Sequence, residues 1–141
     1  MITVHEIGGG GILRAVGEFP ISDMIAAKRA LTLQFSGGVP WLFIIVDLTQ
    51  VTSLTGETSE LEQLVEQDKL LAALTRPGLP FAVVAPQDAQ YGVARMWQAI
   101  SEDTGWDTRI LRDRNSAETW IRERVQAKFG MSVPSLDQQA P

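Results

Sequence analysis

Trp41-Leu42-Phe43-Ile44-Ile45-Val46-Asp47-Leu48 decides the fold: the run is apolar throughout except for one carboxylate, Asp47. Continuous β-branched and aromatic residues without alternation suit a strand covered on both faces, as in a parallel sheet flanked by helices. The run is short for a buried helix, and Pro40 constrains how the chain enters it. Asp47 then falls where the strand leaves the core, at the C-terminal edge where open α/β sheets place their sites.

Working outward, Phe81-Ala82-Val83-Val84-Ala85 repeats the pattern between prolines and predicts a second inner strand. Residues 2–7 and 11–18 read as a hairpin joined by Gly8-Gly9-Gly10-Gly11. Those glycines lack the spacing of a dinucleotide or phosphate loop, and a strand rather than a helix follows them. Helices are expected after Phe19-Pro20, with Ser22 or Asp23 as cap and Met24, Ala27, Leu31 and Phe35 on one face. Others are expected from a Ser59–Glu62 capping box, from an Asp88 cap, and from Asn115–Glu118. On the third helix Ala89, Val93, Met96, Trp97 and Ile100 are assigned to the core. Residues 49–56 read as a polar loop, and 106–111 as a last short strand. The expected architecture is α/β: a mainly parallel sheet with one antiparallel edge strand from the N-terminal hairpin, in the order β-β-α-β-α-β-α-β-α. It forms one domain over residues 1–129, with a loose tail at 130–141.

Composition narrows the function. The 141 residues are 45% hydrophobic, with four Trp and five Phe, enough for one substantial core. There is no cysteine, which removes disulfides, thiolate metal sites and a Cys nucleophile. The net charge of −5 argues against nucleic acid, since phosphate binding needs clustered Lys and Arg. Residues 1–90 hold five Lys/Arg against ten Asp/Glu, and residues 91–141 hold seven of each, so the arginines after Arg95 make one region less acidic. No apolar run is long enough to cross a membrane. The opening residues lack a basic region and an apolar core of the secretory type, so the cytoplasm is the expected compartment.

Val46-Asp47-Leu48-Thr49-Gln50-Val51-Thr52, within this element order, resembles the anti-sigma-factor-antagonist (STAS) fold, whose central strand ends in an Asp-Leu-Ser/Thr step. Tyr91-Gly92-Val93-Ala94-Arg95-Met96-Trp97, Thr104-Gly105-Trp106 and Arg112-Asp113 are similar to a bacterial STAS-like branch of unknown function. That branch also resembles the CRAL-TRIO lipid-transfer domain. The resemblance spans residues 2–127 and implies a regulatory module of protein–protein interaction. Where the phospho-switch family carries Asp-Ser-Ser/Thr-Gly, this chain reads Thr55-Gly56-Glu57-Thr58. The phosphorylatable serine is therefore not inherited.

Among chemistry-bearing residues, His5 is the only histidine and sits on the candidate edge strand. The acids repeat no metal-ligand spacing, so neither a metal nor another cofactor is expected. Asp47 can serve as a buried base or, more economically, accept backbone N–H groups that order the following segment. Tyr91 and Arg95, four apart on one helix face, can hold an anion beside a helix N-terminus; the bland reading pairs Arg95 with Asp113. Asp47, Thr49, Thr55, Tyr91 and Arg95 form the candidate binding set, brought together at one edge of the sheet. The leading expectation is a non-enzymatic binding or regulatory module with a protein partner. The alternatives are a carrier of a lipid or other apolar small molecule and, behind it, a small enzyme. A homodimer built on an edge strand or a Trp-bearing helix is a separate expectation.

Overall fold

A computed structural model describes residues 1–136 of the chain. Its single sheet takes the strands in sequence order: β1 (Ile2–Ile7), β2 (Gly10–Pro20), β3 (Ile44–Thr55), β4 (Pro80–Val84) and β5 (Asp107–Leu111). β1 runs antiparallel to β2, and every later neighbour is parallel. The expected α/β architecture and element order are those observed. Gly8 and Gly9 form the hairpin turn at φ 62° and 83°, a pair of left-handed positions that favours glycine. Gly10 and Gly11 serve packing instead. A Cβ on Gly10 would lie 2.4 Å from the Phe43 ring, and one on Gly11 would lie 2.4 Å from the Trp41 ring.

The helices are α1 (Ile21–Gln34), α2 (Thr58–Ala72), α3 (Asp88–Ile100) and α4 (Arg114–Phe129), with a 3₁₀ turn at Glu102–Thr104. Right-handed crossovers between strands added in one direction place α1, α2 and α3 on the same face of the sheet. The larger core lies there, around Phe19, Trp41, Leu71, Phe81 and Trp97. The other face is left for α4, which seats Ala117, Ile121 and Val125 against Ile12, Phe43, Ile45 and Val84. Val133 and Leu136 complete this second core, so the chain beyond Gly130 is packed as far as Leu136. The rest of the expected tail, 137–141, lies outside the described residues.

Several boundaries differ from expectation. Trp41, Leu42 and Phe43 are buried but precede the strand, and the strand runs on through the predicted loop to Thr55. Two irregularities explain the misreading. Leu48 and Thr49 sit opposite Ala15 alone, and Thr52 is an extra residue between the Gly17–Val51 and Glu18–Ser53 pairs. The buried positions therefore fall at Leu48 and Val51, with Leu54 half-buried: a spacing of three that hides a strand's period of two. The caps also shift. Pro20 precedes α1, and neither Ser22 nor Asp23 is its N-cap. Glu60 accepts the Glu57 N–H ahead of α2, Gln90 accepts the Gln87 N–H ahead of α3, and Asp113 accepts the Ser116 N–H at the start of α4. On α3 the buried side chains are Gln90, Ala94 and Trp97, whereas Met96 and Ile100 are 49% and 44% exposed and Ala89 is exposed. On α1 the buried face includes Ile21, Ile25 and Lys28 alongside Met24 and Leu31, with Ala27 and Phe35 at its margin.

Candidate functional site

Asp47 sits at the end of the part of β3 that pairs with β4, and it is 2% exposed. Its Oδ1 accepts the N–H of Thr49 at 2.9 Å, a donor freed by the first bulge. Its Oδ2 accepts from the Arg114 guanidinium at 3.0 Å and lies 4.0 Å from Arg14 Nε on the paired strand. Arg114 Nε in turn donates to Glu118 at 3.2 Å, on a residue that is also 2% exposed. These two acids and two arginines link the sheet to α4. The carboxylate orders the segment after it, through one N–H, and it ties α4 to the sheet.

Past Asp47 the β2–β3 pair continues beyond β4 as a two-stranded ribbon, with Thr49, Gln50, Thr52, Ser53 and Thr55 exposed. Gln90, 1% exposed at the start of α3, donates from its side chain to the Val51 carbonyl at 3.0 Å and braces the ribbon's outer side. Thr49 and Thr55 are therefore on one rigid projection, whereas Asp47 lies beneath it. Tyr91 and Arg95 both lie on α3. The Arg112 guanidinium covers the Tyr91 ring at 4.0 Å and donates to Asp88 at 2.8 Å, while Arg95 is exposed. Asp113 does not pair with Arg95; it caps α4. The hydrogen bonds from Ser116 hold its carboxyl below the usual carboxylate range. His5 is half-buried on β1, with Nε2 3.1 Å from the Thr3 hydroxyl. Among the described residues no three His, Asp or Glu side chains converge as metal ligands.

A second charged cluster was not anticipated from the sequence. Lys28 on α1 pairs with Asp68 on α2 at 2.7 Å, with side chains 3% and 0% exposed. The Trp97 indole on α3 donates to the same carboxylate at 2.8 Å. The ammonium also stands 5.1 Å from the Phe81 ring centre and 5.3 Å from that of Trp97. Burial pushes the Asp68 carboxyl above the usual range, against the opposing pull of Lys28. The signal was present in the periodicity: Lys28 interrupts the stripe Met24–Leu31, and Asp68 the stripe Leu61–Leu64–Val65–Leu71. A charge on an apolar stripe demands a buried partner. Beside this cluster, between the sheet and α1–α3, lies a cavity of about 60 Å³ bordered by Met24, Lys28, Leu61, Val83, Val93 and Trp97.

No protein-family model and no curated protein matches the chain. Solved structures do match its shape. An uncharacterised DUF3478-family protein with a SpoIIAA-like fold from Shewanella loihica PV-4 aligns with a TM-score of 0.56 at 14% identity, over 86% of this chain and 92% of that one. The anti-sigma factor antagonist SpoIIAA, in its unphosphorylated form, aligns with a TM-score of 0.50 at 12% identity, over 88% of this chain and 98% of that one. At these identities the likeness concerns architecture, and the fold of this chain is SpoIIAA-like.

Proposed function

We propose that the protein is a non-enzymatic regulatory module of the bacterial cytoplasm that binds a protein partner through the β2–β3 ribbon and the first turns of α3. The observation that carries this reading is how the polar groups at that edge are used. Asp47 is occupied by Thr49, Arg114 and Arg14, and Tyr91 is covered by Arg112. The exposed groups are hydroxyls and amides on a braced ribbon, with the Arg95 guanidinium on the adjoining helix. Such groups recognise a surface; they supply no activated nucleophile or poised base. The same fold serves an anti-sigma factor antagonist, which supports a protein-directed role. Thr55-Gly56-Glu57-Thr58 supports one without that family's serine switch. The cavity of about 60 Å³ in the larger core is too small for a lipid carrier, which needs an enclosed apolar pocket of roughly 300 Å³ or more. The roomier clefts beside Trp120 and beside Leu70 are open and partly polar.

The test is capture of a partner from bacterial extract on the immobilised chain, repeated with Thr55→Lys combined with Arg95→Glu. The double variant should weaken binding of the captured protein by about tenfold or more, roughly 1.4 kcal/mol, while its melting temperature stays close to that of the parent. Turnover of a small substrate that disappears in Asp47→Asn would replace this reading with an enzymatic one.

A further inference from the structure

β1 is an edge of the sheet, and among the described residues it pairs with β2 alone. The direction of its peptide groups follows from the ladder. The Val16 N–H donates to the Met1 carbonyl at 2.9 Å, so the pair opposite Met1 is hydrogen-bonded. The two-residue turn makes Ile7–Gly10 such a pair as well. Hydrogen-bonded and non-bonded pairs alternate along an antiparallel ladder. Thr3, His5 and Ile7 therefore spend their N–H and C=O groups on β2, while those of Ile2, Val4 and Glu6 point away from the sheet. Of the usual protections of an edge, β1 carries one exposed charge, Glu6, and has no proline, no lysine and no bulge. Val4 is 40% exposed.

We propose that two copies of the chain join through this edge, β1 against β1 and antiparallel, about a twofold axis at Val4 perpendicular to the sheet. The register selects itself. An axis perpendicular to the sheet keeps each face on its own side, so residues of like parity meet. Centring on Val4 sets Val4 against its copy and Ile2 against Glu6, and it satisfies every outward N–H and C=O of the three residues. Shifting the centre to Thr3 or His5 leaves part of them unpaired. Centring on Glu6 brings two carboxylates face to face in a chain whose net charge is already −5. Two kinds of side-chain pair agree with the Val4 register, valine against valine and, on the opposite face, Thr3 against His5, a hydroxyl beside an imidazole, while the Ile2–Glu6 pairs contribute backbone bonds only. A second copy is favoured over an unrelated strand because this one segment supplies both halves of the match. The pairing uses the edge strand rather than the ribbon and stands independently of the function proposed above.

Sedimentation of the full chain should show dimer at tens of micromolar, with the amides of Ile2, Val4 and Glu6 gaining protection from hydrogen exchange as concentration rises. Val4→Pro is the discriminating variant. The amide it removes donates to nothing in the monomer, so an edge strand tolerates it. It should stay folded and shift association by about tenfold or more. His5→Pro removes a donor used by β2 and should unfold the hairpin. Val4→Lys, which sets like charges against each other at the axis, should weaken the dimer without touching the backbone, and it decides the matter if the proline variant is unfolded. A strictly monomeric parent, or a dimer that Val4→Lys leaves intact, overturns the proposal. Protection of the Val4 amide only when another protein is added would assign the edge to a foreign strand and overturn it equally.

Discussion

Removing the Asp68 carboxylate alone leaves the Lys28 ammonium buried beside two aromatic rings with no counter-charge. Asp68→Leu should cost about 3–5 kcal/mol, the usual penalty for breaking a buried pair. Lys28→Met with Asp68→Leu should recover most of this, because no charge is then stranded. The indole N–H of Trp97, which loses its acceptor, accounts for the remainder, so adding Trp97→Phe should return more. Chemical denaturation of the single, double and triple variants checks the order. At Asp113 the expected dependence is on pH. Its folded pKa lies below the ordinary 3.8, so its contribution is present above that value and is lost as pH falls below it. Asp113→Ala should therefore lower the melting temperature at neutral pH, and the gap to the parent should close from about pH 3.8 downward. Asp113→Asn, which still caps, should lower it less. The buried network of Asp47, Arg14 and Arg114 was legible only in its first member, because nothing local in the sequence ties β3 to residues in β2 and α4.

Strand β3 shows where reading by pattern stops. Its inner half was legible as an unbroken apolar run, whereas its outer half was hidden by two bulges that reset the alternation. Threonine and valine at residues 49–55 were the remaining signal, being β-branched and suited to a strand. Helix α3 failed differently: Gln90 is buried to brace the ribbon, and this rotates Met96 and Ile100 outward. Glycines separate the roles of turn, packing and helix interior. Gly92 lies within α3 with nothing near its missing Cβ. Gly92→Ala should therefore stabilise the protein by about 0.5–1 kcal/mol. Gly11→Ala places a methyl into the Trp41 ring and should destabilise it by about 1–3 kcal/mol. Thermal melts of the two variants should move in opposite directions.

At the scale of the whole molecule, the architecture was readable because strand order, crossover hand and helix placement are one constraint. Apolar runs give the inner strands, and right-handed crossovers then leave a single face for three helices. The packing of Val133 and Leu136 was not readable, since two apolar residues among Ser and Pro carry no periodicity. The cavity beside Val83 offers a test of how tightly the larger core is filled. Val83→Ile should gain up to about 0.8 kcal/mol, the value of one buried methylene, read from the urea midpoint at unchanged slope. The sheet's spatial order is also its order along the chain, β1 to β5. Each strand leaving the ribosome finds its pairing edge on the strand synthesised just before it, and no later segment has to be inserted between two already joined. Assembly can keep pace with translation, with an edge of the growing sheet always open to the next strand. The face that awaits α4 is the last to be shielded, because its cover is synthesised after every strand is in place.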